Sequence, residues 1–110
     1  MKEVLPNALN QVAEYFKVLS EVSRLQVLSC LSTGSKNVTQ IITETGLGQA
    51  NVSKHLKILT QAGIVKRTPE GVSVIYEIVD PTLFQLCDLV CGRLQVRLEE
   101  QTKQLEKLKI

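Results

Sequence analysis

Three groups of residues in this 110-residue chain have types and spacings that could do chemistry. The first is the polar run Gln49, Ala50, Asn51, Ser53, Lys54, His55 and Lys57. Wrapped as a helix with Val52, Leu56, Leu59 and Ala62 turned inward, residues 49–62 present Gln49, Ala50, Ser53, Lys54, Lys57 and Gln61 outward, with Asn51 and His55 on the flank. That face carries amides, a hydroxyl and ammonium groups and no carboxylate. Amides can pair with adenine edges and ammonium groups with guanine or phosphate, so the face suits the major groove of double-stranded DNA. Small Ala50 and Ser53 permit close approach, and Lys66, Arg67 and Ser73 further along could reach the flanking phosphates.

The second group is Cys30, Cys87 and Cys91. Cys87 and Cys91 are four residues apart, on one face of a helix. Two thiolates so placed could grip one thiophilic ion, but two sulfurs alone make an incomplete zinc site. A third ligand would be Cys30, a cysteine of a partner chain, or Asp88; three thiolates would suit arsenic(III), antimony(III) or lead(II). A redox switch is the alternative, with one thiol oxidised by a reactive sulfur species or other oxidant and another resolving it. Cysteine also packs as a small hydrophobe, so the pair could simply fill an apolar seam. The third group is His55 alone, a packing or phosphate-contact residue rather than a ligand, since no second histidine supports it. There is no glycine-rich phosphate loop, paired-carboxylate site or Ser/His/Asp set, and no resident cofactor is called for, which argues against an enzyme.

These groups need elements to hold them. Apolar spacing at Leu9, Val12, Ala13, Phe16 and Leu19 predicts a helix α1 over 7–19, with Pro6 just before it. Val22, Leu25, Leu28 and Leu31 predict α2 over 21–33, stopped by Gly34. A short α3 over 38–45 and α4 over 49–62 flank Gly46-Leu47-Gly48, a helix-turn-helix over about 38–62. Ile64–Thr68 and Val72–Ile78, separated by Pro69-Glu70-Gly71, predict strands β1 and β2 of a wing over about 64–78. Asp80-Pro81 is an N-cap followed by proline at the first helical position, opening α5 over about 81–107. The fold class is therefore mainly α with a small β-hairpin, a winged helix-turn-helix in the order α1-α2-α3-α4-β1-β2-α5, as a single domain over 1–110.

Near 1.5 Å per residue, α5 would be about 40 Å long. A compact domain of this size has a radius of gyration near 13 Å. Its stripe of Leu83, Leu86, Cys87, Val90, Leu94, Leu98, Leu105 and Leu108 would overhang into water unless covered, which predicts a homodimer through α1 and α5, with a loose end after Leu98 where charge is dense.

Composition agrees. The chain is 44% hydrophobic and 22% charged, so it is neither disordered nor low-complexity. No apolar run reaches the roughly 18 residues of a membrane span. Met1–Asn10 has no basic patch leading into an apolar stretch, and the odd cysteine count speaks against a disulfide framework, so reduced thiols and a cytoplasmic location are expected. Net charge is +2, and all the excess lies in 48–79, where Lys54, Lys57, Lys66 and Arg67 outnumber Glu70 and Glu77.

Ser23-Arg24-Leu25-Gln26-Val27-Leu28, the run Gln49–Leu59, Ala62-Gly63-Ile64-Val65 and Ile75-Tyr76-Glu77-Ile78 together resemble the ArsR/SmtB family of bacterial metal- and stress-sensing repressors. The resemblance covers about residues 8–95. It implies a homodimeric winged-helix repressor, joined through its first and last helices, that leaves operator DNA when an inducer binds. It implies DNA contacts at Gln49, Ala50, Ser53 and Lys54. One type of family effector site has cysteines in or just before the third helix, and residues 36–44 hold none. Another uses Asp and His on the last helix; Asp80 matches its first ligand, but residues 81–110 hold no histidine, and Asp80 reads better as a helix cap. Some members use a cysteine in the second helix with one in the last as a redox switch, positions matched by Cys30 and the Cys87/Cys91 pair. A winged-helix module that binds other proteins and has no operator is the competing reading; loss of DNA affinity with salt separates the two.

Overall fold

A computed structural model describes residues 6–108. The elements are α1 (Pro6–Val18), α2 (Val22–Leu31), α3 (Val38–Thr45), α4 (Gln49–Gln61), β1 (Val65–Glu70), β2 (Ser73–Ile78) and α5 (Pro81–Glu106). This is the order and class expected. The single domain expected over 1–110 divides, by its internal contacts, into two compact units, one ending at Val79 and one beginning at Asp80.

In the first unit the core is aliphatic: Val27, Leu28 and Leu31 of α2, Ile41 of α3, Val52, Leu56 and Leu59 of α4, with Ile64 and Val65, are all buried. Each such side chain contributes roughly 1.5–3 kcal/mol on burial. The inner stripe of α2 is not the one expected. Val22 and Leu25 are exposed, whereas Arg24, Val27, Leu28 and Leu31 face inward. The spacing 24, 27, 28, 31 is equally helical, and it admits a buried arginine because that guanidinium finds polar partners. Ala62, expected inside, is exposed at the end of α4.

α3 starts with a capping box: Asn37 Oδ1 accepts from the Gln40 backbone N–H at 2.9 Å, and Gln40 Oε1 accepts from the Asn37 N–H at 2.8 Å. It ends at Gly46, whose φ of 73° is the left-handed conformation that reverses the chain into α4.

The wing is shorter in its turn than expected. Pro69 and Glu70 belong to β1, paired with Val74 and Ser73, so only Gly71 and Val72 connect the strands. Gly71 has φ 63°, and Val72 is not at positive φ, the pattern of a type II′ hairpin turn. Proline is tolerated in β1 because a two-stranded ribbon has only edge strands. A β-bridge ties Lys36 to Tyr76, with N–H···O distances of 3.0 and 2.9 Å, and so joins the start of α3 to the wing. The Lys36 ammonium is buried and donates to Cys30 O and Thr33 Oγ1, both at 2.6 Å, which satisfies a carbonyl of the last turn of α2.

In the second unit, Asp80 Oδ1 accepts from the Thr82 N–H at 3.0 Å and Pro81 opens the 26-residue α5. The helix continues past Leu98 to Glu106, where a loose end was expected. Leu83 is buried, Leu86 and Cys87 are half-buried, and Val90, Leu94, Leu98 and Leu105 are exposed.

Replacing Lys36 with Met keeps the aliphatic stem but removes the charged donor to Cys30 O, leaving that carbonyl only the longer 3.2 Å bond from Thr33 Oγ1. Urea unfolding of Lys36→Met should show a loss of about 1–3 kcal/mol with an unchanged m-value. An unchanged midpoint would show that the buried ammonium holds nothing together.

Candidate nucleic-acid interface

α4 is fixed about its axis by what it buries. Val52, His55, Leu56 and Leu59 are each 2% exposed or less. Gln49, Ala50, Asn51, Ser53, Lys54, Lys57 and Gln61 are all left exposed. On the wing, Lys66, Arg67 and Ser73 are exposed as well. The outward set therefore carries two ammonium groups on α4 and two cations on β1, with no carboxylate on α4. Its N-terminal half holds the short amide and hydroxyl side chains, the part of a recognition helix that reaches base edges.

His55 belongs to a different place. Its imidazole lies within the inner stripe of α4, so it is removed from the DNA-facing set to which its flank position assigned it. Nε2 lies 3.4 Å from Glu21 Oε1, and Nδ1 is buried without a hydrogen-bond partner. Burial lowers the pKa of His55 below the usual histidine value; the nearby Glu21 carboxylate opposes this, and Arg24 and Lys54 add to it. Glu21 Oε2 in turn accepts from Arg24 Nη2 at 3.0 Å. Arg24 Nη1 donates to Val18 O at 2.9 Å and Lys17 O at 3.5 Å, the closing carbonyls of α1.

Neither Glu21 nor Arg24 stood out as functional in the sequence, although Arg24 lies in the motif that carries the family resemblance. The usable signal was a charged residue at helical spacing with Val27, Leu28 and Leu31.

The cysteines occupy unlike environments. Cys30 is buried, and its thiol donates to Glu44 Oε2 at 3.0 Å. Burial, followed by that hydrogen bond, pushes its pKa up to about 11, so it stays a thiol at neutral pH. Beside it opens a cleft of about 360 Å³ lined by Gln26, Ser29, Thr33, Glu44 and Thr45. Cys87 is half-buried and Cys91 exposed, both free thiols on α5. Burial also raises the Cys87 pKa, with Cys91 and Asp88 adding to the shift. Among the described residues, no group of three or more His, Cys, Asp or Glu side chains is placed to hold a metal ion.

Residues 21–67 match the bacterial regulatory protein, arsR family. An uncharacterized HTH-type transcriptional regulator of Methanocaldococcus jannaschii is 41% identical over 81 residues, covering 73% of this chain and 91% of that protein. The chain belongs to the arsR family. Two solved structures agree with this assignment. The homodimeric winged helix-turn-helix DNA-binding domain of a possible ArsR-family regulator from Mycobacterium bovis superposes with a TM-score of 0.77 at 31% identity, covering 91% of this chain and 95% of that one. The AntR antimony-specific transcriptional repressor superposes with a TM-score of 0.75 at 27% identity, covering 92% and 90%. This arsR-family chain is thus a DNA-binding transcriptional regulator and not an enzyme. Among the described residues, no helix is long and apolar enough to cross a membrane.

The buried imidazole makes the protein acid-sensitive. The folded pKa of His55 lies below its unfolded value of about 6.5, so the unfolded chain takes up the proton first. This stability is fully present above pH 6.5 and is lost as pH falls toward the folded value. Thermal melts from pH 7.5 to 5.5 should show a falling Tm in the wild type and a flatter profile in His55→Leu. Parallel profiles would remove His55 as the cause.

Proposed function

We propose that two copies of this chain form a repressor that grips an operator with paired α4 helices and releases it when a thiophilic inducer engages α5. The observation that carries this reading is the exposed, carboxylate-free outer face of α4, rotationally fixed by its buried stripe and followed by a wing bearing Lys66 and Arg67. In it, Gln49, Ala50, Asn51 and Ser53 approach base edges, Lys54 and Lys57 pair with guanine or phosphate, and Lys66, Arg67 and Ser73 hold the adjoining backbone. A DNA partner is in keeping with a cytoplasmic location.

Support for a second copy comes from apolar side chains left in water: Leu9, Val12 and Phe16 along α1, and Val90, Leu94 and Leu98 along α5. A symmetric partner covers both stripes. The M. bovis relative is homodimeric, in keeping with this arrangement.

Support for a thiol-sensed inducer comes from Cys87 and Cys91, four residues apart and outside the core. AntR is specific for antimony, an ion that takes sulfur ligands. The pair supplies two sulfurs; the remaining donor would come from the second copy. Cys30 is left out of this pair because its buried thiol is already engaged by Glu44. Release requires that the inducer bind the DNA-free form more tightly than the DNA-bound form.

A gel shift on the DNA upstream of the gene tests this. Affinity should fall steeply with salt, and Lys54→Ala should reduce the salt slope by about 1. Antimonite or arsenite should release wild-type protein and Cys30→Ser alike, while Cys87→Ser and Cys91→Ser stay bound. Release of all variants at the same inducer concentration would show that the thiols only pack.

A further inference from the structure

We propose that Glu21 is a positioning residue for DNA recognition, its carboxylate setting the pose of α4 against the end of α1 through His55 and Arg24. Three elements meet at this one side chain. Glu21 is the N-cap of α2 but makes no cap hydrogen bond with its side chain. Its carboxylate is turned instead to two neighbours. Oε2 holds Arg24, whose other nitrogen closes the carbonyls of Val18 and Lys17 at the C-terminus of α1. Oε1 faces His55 Nε2 in the middle of α4.

The buried stripe of α4 consists of Val52, His55, Leu56 and Leu59. The three apolar members hold the helix by burial, which is strong but not directional. His55 is the stripe's one polar member, so its contact is the one that favours a single axial position and rotation. Nδ1 has no partner, and Nε2 lies 3.4 Å from Glu21 Oε1, so the carboxylate sits against the one polar edge of the ring that has a neighbour of opposite polarity. Arg24 and Lys54 are the cations near the ring, and they favour its neutral form. A small change of α4 about this anchor would move Gln49 and Ser53 relative to the bases while leaving the ammonium groups able to meet phosphates. Glu21 therefore acts on specific binding and leaves non-specific binding nearly untouched. Glu21 is half-exposed, and Arg24 keeps its bonds to the Val18 and Lys17 carbonyls without it, so neutralising Glu21 costs little stability.

This inference rests on α4 being the DNA-reading helix, and the test separates the two. Wild-type full-length protein first selects a duplex from a random-sequence pool; the probes are that duplex and a scrambled version of it. Glu21→Gln should weaken binding to the selected duplex by about fivefold or more and leave the scrambled duplex within about twofold, with a nearly unchanged Tm. In a His55→Leu background the same change should cost less than about twofold, because its partner is already gone. Equal losses on both duplexes, or the same selective loss in both backgrounds, would overturn the proposal. If Lys54→Ala weakens binding while Glu21→Gln leaves the selected duplex unaffected, Glu21 is not a positioning residue, though α4 still reads DNA. If wild type selects no duplex, both ideas fall together.

Discussion

The buried stripe of α4 is the constraint on which the rest depends. Val52, His55, Leu56 and Leu59 are withdrawn from water, and that inner stripe decides which face of the helix is left outside. What remains to be presented to a partner on that helix is three amides, a hydroxyl, two ammonium groups, and an alanine small enough to let backbone approach backbone. The neighbouring elements serve this orientation. The capping box and Gly46 set where α3 ends and α4 begins, and the Lys36–Tyr76 bridge holds the wing to the start of α3.

Much of this is legible in the sequence. Glycines at 46 and 48, Pro81 after Asp80, and the shift to β-branched residues after Gly63 each act through local backbone preference, and the elements begin and end close to where these residues place them. The failures share a different cause. Val22 and Leu25 have the right period for a core face, yet Arg24 is inside, because a guanidinium that caps α1 and pairs with Glu21 loses less on burial than its type suggests. His55 reads as a flank residue for a similar reason: polarity is a guide to exposure only when no buried partner exists. Pro69-Glu70 reads as a turn, but an edge strand tolerates a proline, and Gly71 alone supplies the positive φ the hairpin needs. Tertiary partners decided each of these, and partners distant in the chain leave no mark on local composition.

The exposed apolar stripes and the thiols are the features that the DNA-reading face does not use. α1 and α5 each leave large aliphatic residues in water, an arrangement that suits a surface shared with another copy better than a finished exterior. The cysteines divide by environment rather than by sequence: Cys30 donates its proton to Glu44 within the winged unit, while Cys87 and Cys91 stand on α5.

Backbone amide shifts during titration with a selected duplex test the central claim most directly. The account predicts that the largest perturbations fall on residues 49–57 of α4 and on Lys66, Arg67 and Ser73 of the wing, with the buried core nearly unmoved. Perturbations concentrated on α2 or along α5, with α4 silent, would contradict it.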